Sequence, residues 1–356
     1  MMGVGGTYLR TNHRSTLFPR NTRQHLTDDN PGGGRAHHRE VRLTVLGSGV
    51  SGLTTALSLL NAGCRVEVVA AHPVQASTSY LAAAVWFPTH AGPPAKVAAW
   101  GRHTFTVLAH QAAAGVPGVV MRESLVLYRN PPGEPEWVSS VGEVRAALPA
   151  ELPPGYSHGL RFAVPLVEMP HYLPWLEAEV RRRGGELARR RVSCLDELFS
   201  DGVDAVVNCS GLAARSIAGD PSVYPVRGQI VRVTNPGLTL SVRDELHPAG
   251  RAYVHPRAED CILGGTLEEH NWDTTVDLLA AEAIIRRCRD IAPALIEATV
   301  IEHIVGLRPG RRTIRLEEET VASHGTRIVH NYGHGGSGIT VSWGCAADVT
   351  ALLLAD

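Results

Sequence analysis

Leu43-Thr44-Val45-Leu46-Gly47-Ser48-Gly49-Val50-Ser51-Gly52 is the stretch on which the reading of the fold turns. Leu43 to Leu46 is a short apolar run with the character of a buried strand, and Val50 to Asn61 carries the apolar spacing of a helix. Val66 to Val69 reads as a second buried strand, so strand, turn, helix and strand follow in the order of a βαβ unit. The turn between the first strand and the helix fits G-x-G-x-x-G. Its glycines permit a tight bend and let backbone amides approach a pyrophosphate at the helix N-terminus. Gly47, Ser48, Gly49, Val50, Ser51 and Gly52 are therefore expected to hold a dinucleotide, and the motif alone does not choose between FAD and NAD. One departure stands out. The acid expected at the end of the second strand, where it would bind ribose hydroxyls, is missing from Val68-Val69-Ala70-Ala71-His72, and Glu67 comes one strand position too early. His72 is the candidate to bond the ribose in its place.

Upstream, residues 1–40 are rich in Gly, Asn, Arg and His and close on Pro31-Gly32-Gly33-Gly34; they read as a disordered extension outside the fold. The whole chain has 356 residues with a 44% hydrophobic share, enough for two domains. A net charge of -1 gives no field to gather nucleic acid or an anionic membrane, which leaves a small molecule as the expected partner. No apolar run approaches the roughly 20 residues of a spanning helix, and no signal-peptide core follows the N-terminus. A cytoplasmic, membrane-free protein is expected. The six cysteines, Cys64, Cys194, Cys209, Cys261, Cys288 and Cys345, form no C-x-x-C pair, so no metal site is expected. Lys96 is the only lysine and lies in a Gly-Pro-Pro-Ala context read as a loop, which argues against a pyridoxal Schiff base.

Downstream, residues 97–190 read as Pro-rich loops with one helix, Leu173 to Arg183. Residues 204–209 read as a buried strand, while 229–234, 252–256, 261–265 and 301–307 suggest an antiparallel sheet of separate identity. A last helix is expected from Gly338 to Leu354 after a glycine-rich turn. The fold class is thus α/β: a discontinuous Rossmann-type nucleotide domain (41–95, 190–220 and 326–356) with an α+β second domain (96–189 and 221–325) that carries an antiparallel sheet.

Near the C-terminus stand Ile328-Val329-His330-Asn331-Tyr332-Gly333-His334-Gly335-Gly336-Ser337-Gly338 and, five residues on, Gly344-Cys345-Ala346. Together they closely resemble the signature of the D-amino-acid oxidase family. Further matches follow in order at Ser77-Thr78-Ser79, Ala82-Ala83-Ala84-Val85-Trp86, Val207-Asn208-Cys209-Ser210-Gly211, Arg227-Gly228-Gln229, Leu263-Gly264-Gly265 and Gly306-Leu307-Arg308-Pro309. The resemblance spans about 41–356. It implies noncovalent FAD held by Gly47–Gly52, Ala71, His72, Ser77, Thr78 and Ser79. Ala83, Ala84 and Val85 would lie beside the flavin, with Val192, Ser210 and the turn of Gly335, Gly336, Ser337, Gly338, Ile339 and Thr340 completing the set. Glycines in that turn allow the backbone to press on a flat ring, and the following helix aims its positive end at the charge that gathers on a reduced flavin.

The resemblance further assigns the substrate carboxylate to Arg308 and Tyr253 and the substrate amine to the carbonyl of Gly336. Taken as a lone residue, Arg308 would be read first as pairing with a protein acid such as Glu317, and it is the Gly-Leu-Arg-Pro motif that reverses this. The implied reaction takes a D-amino acid and O2 to the 2-oxo acid, ammonia and hydrogen peroxide, by hydride transfer from the α-carbon to flavin N5. No side-chain base is then required, so His334 reads as a turn residue and His255 as pocket lining. Two positions depart from the family: Ser337 stands in place of a bulky aromatic, and Ala249 in place of a lid tyrosine. Leu267 occupies the place where the aspartate-specific branch carries an arginine, so neutral side chains are the expected substrates. A D-aspartate oxidase and a flavin-binding protein without turnover are the rival readings, and the sequence leaves a homodimer open.

Overall fold

The glycine turn bends the chain directly from a strand into a helix, and the rest of the molecule is arranged around that bend. The computed structural model describes residues 40–87, 91–133, 135–200, 202–321 and 326–355. The expected N-terminal extension, up to residue 39, lies outside the described residues. Along the chain run β1 (Arg42–Leu46), α1 (Val50–Asn61), β2 (Arg65–Ala70), α2 (Pro94–Ala113), β3 (Val119–Tyr128), β4 (Val144–Ala146), β5 (His158–Val167) and α3 (Met169–Arg182). There follow β6 (Glu186–Arg189), β7 (Ala205–Asn208), the one-turn α4 (Ala214–Ile217), β8 (Tyr224–Thr234), β9 (Ser241–Asp244), β10 (Ala252–Pro256), β11 (Asp260–Gly264) and β12 (Glu268–Glu269). The last part adds α5 (Leu278–Ile291), β13 (Val300–Gly310), β14 (Arg315–Val321), β15 (Thr326–Tyr332) and α6 (Gly338–Leu354).

Two sheets result. The first has the order β14-β15-β7-β1-β2-β6, parallel except for the antiparallel edge strand β14. Its central strands are buried on both faces and accordingly read as mostly apolar runs, as Leu43–Leu46 does with Thr44 its one polar residue. The second runs β12-β8-β11-β10-β9-β3-β5-β4 with β13 on the free side of β8, and is antiparallel except where β3 meets β9. Helix α5 buries Ile284, Cys288 and Ile291 against its apolar face, opposite Val231, Val254 and Leu263. Asp277 caps that helix by accepting from the amides of Leu279 and Ala280.

Helix α6 lies between α1 and α2. Its Gly344 makes this approach feasible, because a Cβ there would stand 2.3 Å from the Cα of Trp100 in α2. The Trp343 indole donates to the Tyr172 hydroxyl (2.9 Å), which donates to Gln111 (2.8 Å), tying α6, α3 and α2 together in the core.

The region read as Pro-rich loops therefore contains α2, β3, β4 and β5 besides α3. Two of the prolines stand in the first turn of a helix, Pro94 at the start of α2 and Pro170 one residue into α3, where a missing N–H costs nothing, and Pro174 is carried inside α3. Lys96 consequently lies in the first turn of α2, not in a loop. Helices α2 and α3, grouped above with the second region, pack against α6 and α1, and β14, also grouped there, pairs with β15 in the first sheet. Local pattern could not reveal this, since pairing partners so distant in sequence leave no periodic trace.

Candidate active site

A cavity of about 520 Å³ runs along the C-terminal ends of β1, β2 and β7 and across to the face of β8, β10 and β13. Ligands of open α/β sheets settle at that end of the strands. At the first wall Gly47 has φ +110°, and a Cβ on it would meet the Cys209 carbonyl oxygen at 2.5 Å. Gly52 does not line the cavity. A Cβ there would stand 1.9 Å from the Gly47 oxygen, so its role is to let α1 start against the turn. Gly47, Ser48, Gly49, Val50 and Ser51 do line it. So does Ser79, whose Oγ accepts from the Val50 amide at 3.1 Å and closes one free donor of α1.

The N-termini of α1 and α6 converge on this wall: a Cβ on Gly338 would come within 3.8 Å of Val50. Two positive helix ends thus face one space. Gly335 (φ +54°), Gly336, Gly338 and Ile339 line the cavity beside them. Ser337 and Thr340, expected in the same set, do not. Ser337 is buried at the N-cap of α6, and Thr340 is occupied with Phe87, its hydroxyl donating to the Phe87 carbonyl (3.1 Å) and accepting from the Phe87 amide (3.3 Å). His334 is buried under the turn, with Nε2 3.0 Å from Asn331 Oδ1 and Nδ1 3.4 Å from Ser51 Oγ. Burial pushes its pKa down to about 4, so the ring is neutral.

Ala71, His72, Ser77, Thr78, Val192 and Ser210 line the cavity's far arm. Among the described residues no acid stands there to replace the missing one; instead His72 Nε2 lies 3.2 Å from Arg191 Nη2, the His72 carbonyl accepts from Arg189, and Arg190 joins the lining. The run Arg189-Arg190-Arg191 was the available signal for this basic end. Ala83, Ala84 and Val85 form the middle of the cavity, with Ala84 at φ +51°, one of two non-glycine residues with positive φ among those described. A glycine cradle, two convergent helix N-termini and an extended shape between them fit a flavin dinucleotide.

At the opposite wall, Arg308 and Tyr253 enter the same cavity. Arg308 sits on β13 across from Val226, and its guanidinium fills the space above Gly228, where a Cβ would stand 2.1 Å from Nη1. It donates to the Thr266 carbonyl at 3.3 Å, and no carboxylate among the described residues pairs with it. Glu317, the protein acid considered for it, binds Arg315 at 2.6 Å instead. Tyr253 lies over Gly264 and reaches Gly265: an added Cβ would meet the ring at 2.0 Å in the first case and the hydroxyl at 2.9 Å in the second. Burial raises its pKa, so the hydroxyl remains a donor. Gly336 completes this corner, its Cβ position 3.7 Å from Arg308 Cδ.

The ring of His255 stacks on Tyr253 with centroids 4.7 Å apart, and its Nδ1 lies 2.6 Å from Ser241 Oγ. Burial first, and then Arg243, hold its pKa well below the usual value. Arg243, Glu245, Arg251 and Leu267 line the cavity beyond it. The pairing of β9 with β10 brings the two arginines in. Ala249 is exposed and outside the lining.

The chain matches the model of a family described as FAD dependent oxidoreductase over residues 42–352. It is 51% identical over 313 residues to a D-amino-acid oxidase of Rubrobacter xylanophilus, covering 88% of this chain and 95% of that protein. It is also 37% identical over 327 residues to a human D-aspartate oxidase, at 88% and 94% coverage. Among solved structures, glycine oxidase from Geobacillus kaustophilus superposes with a TM-score of 0.72 at 19% identity, over 88% of this chain and 95% of that one, a likeness of fold. With the family model spanning nearly all of the described fold and the cavity built to take a flavin dinucleotide, this chain belongs to the FAD-dependent oxidoreductases.

Proposed function

We propose that this enzyme oxidises D-amino acids, preferring neutral side chains, to imino acids that water converts to 2-oxo acids and ammonia. The observation that carries the reading is Arg308, a guanidinium held in a glycine-lined slot on the cofactor cavity with no carboxylate among the described residues to satisfy it. An arginine fork so placed is matched by a ligand carboxylate. Gly47–Ser51 and the start of α1 would hold the FAD pyrophosphate, and Ala71, His72, Val192 and Ser210 the adenosine side. Ala83–Val85 with Gly335, Gly336, Gly338 and Ile339 would flank the flavin ring. FAD, when bound, supplies a two-electron acceptor that O2 regenerates with release of hydrogen peroxide.

The protein's own part is to bind and orient. Arg308 and the Tyr253 hydroxyl clamp the α-carboxylate, and the Gly336 carbonyl accepts from the amine. Three fixed points leave one face of the α-carbon turned inward, which selects one enantiomer. No proton need leave carbon to a base when the α-hydrogen departs with its electron pair. In keeping with that, burial depresses the pKa of both His255 and His334, which makes each a weaker proton acceptor, and both rings are engaged in hydrogen bonds. The cysteines among the described residues are all unpaired thiols, which supports a reducing, cytoplasmic setting.

A second reading, preference for acidic D-amino acids, draws on Arg243 and Arg251 in the cavity wall. Peroxide release across a panel of D- and L-amino acids tests both. The reading requires activity with D-methionine or D-leucine above that with D-aspartate, and none with the L forms; a D-aspartate value equal or higher promotes the second reading. Bound flavin with no peroxide from any amino acid would make the chain a flavin-binding protein without turnover.

A further inference from the structure

Beyond Arg308 and Tyr253, the same end of the cavity carries two more guanidiniums, Arg243 and Arg251, and a carboxylate. Arg243 on β9 is the cross-strand partner of Tyr253 on β10, and His255 lies two residues further along the same face, so all three look into the cavity. The Arg243 side chain is only 11% exposed. Its guanidinium carbon stands 3.9 Å over the Phe87 ring, Nη2 lies 3.4 Å from the neutral His255 ring, and Nη1 lies 3.6 Å from Glu245 Oε1. The other oxygen of Glu245 meets Arg251 Nε at 3.4 Å. One carboxylate therefore bridges two cavity-wall arginines, and both contacts are long for paired charges.

We propose that Glu245 is a specificity-determining residue that occupies, with its own carboxylate, the place between Arg243 and Arg251 that an acidic substrate side chain would need. The inference rests on the reading of the site as one for amino acids. A desolvated guanidinium demands a counter-charge. While Glu245 supplies it, a second substrate carboxylate meets like charge at the point where it would bind, and a neutral side chain passes without penalty. Removing the charge at residue 245 leaves the buried Arg243 guanidinium facing the cavity with no carboxylate against it among the described residues.

The test is the ratio of kcat/KM for D-aspartate and D-glutamate to that for D-methionine. In Glu245→Gln the ratio should rise at least about tenfold over the unmodified enzyme. In Glu245→Gln combined with Arg243→Met that gain should disappear. A ratio unchanged or shifted toward D-methionine in Glu245→Gln overturns the proposal. Should that variant fail to retain FAD, Arg251→Gln gives the complementary measurement: Glu245 is then shared with Arg243 alone and the ratio should fall severalfold, an unchanged ratio being the refuting result. Succinate and butyrate, read by their perturbation of the bound-flavin spectrum, separate this proposal from the assigned reaction. The two ligands differ by one carboxylate, and their relative affinity should shift toward succinate in Glu245→Gln even if no amino acid is turned over.

Discussion

At the scale of single residues, the site depends on where one guanidinium is held. Arg308→Lys keeps the charge but loses the planar fork, so kcat/KM for a neutral D-amino acid should fall well over about tenfold while FAD absorbance is retained. Full activity would remove Arg308 from the site. Gly228→Ala attacks the same group from behind. The added methyl would meet Arg308 Nη1 at 2.1 Å, and because that is the free end of a flexible side chain, the fold can accommodate it whereas the clamp cannot. Near-normal stability with kcat/KM reduced by about tenfold or more is the expected pair of results; unchanged kinetics would mean the guanidinium finds its position without the slot. Arg308, Tyr253 and Gly336 were legible in the sequence through the motifs around them. Gly228 was legible only as part of a motif, because the reason for a glycine there is a side chain eighty residues away.

At the scale of elements, the two helices that point into the cavity are held by close packing. Gly344→Ala would place a methyl 2.3 Å from the Trp100 Cα and 2.4 Å from its carbonyl oxygen, backbone that cannot rotate aside. Separating α6 from α2 should cost about 1–3 kcal/mol and lower the unfolding temperature by several degrees, measured by circular dichroism. A second expectation concerns the end of β2. Ala71→Asp restores an acid beside a basic cluster of Arg190 and Arg191, and FAD should dissociate more slowly on dilution; faster loss would show that the arginines have taken over that end. The βαβ unit and α6 were readable because each carries its own periodicity and glycine punctuation. α2 and the strands of 119–167 were not, since prolines at helix starts resemble loop prolines until the following turns are seen to be buried.

At the scale of the whole molecule, buried neutral histidines tie folding to pH. His334 titrates at about 4 in the fold against about 6.5 when exposed, so the unfolded chain takes up its proton first as pH falls. Stability is therefore complete above pH about 6.5 and is lost progressively between there and pH about 4, by roughly 3 kcal/mol from this residue. His255, also depressed, acts in the same direction. Urea midpoints should drop between pH 7.5 and pH 5, and the drop should shrink in His334→Gln; an equal drop in that variant would assign it to other groups.

The sequence by itself determined the glycine turn, the flanking strands and helix, and the C-terminal motif. These are features written in contiguous residues, where spacing and residue type carry the physics. Tertiary structure alone decided which strands share a sheet, that β14 belongs beside β15 and that Ser337 and Thr340 stand behind the wall. It also decided that Arg243, Glu245 and Arg251 meet in the cavity wall beside Tyr253 and His255. Their meeting depends on the register of β9 against β10 and on a loop that closes back on the same face, and neither leaves a mark on the order of residues.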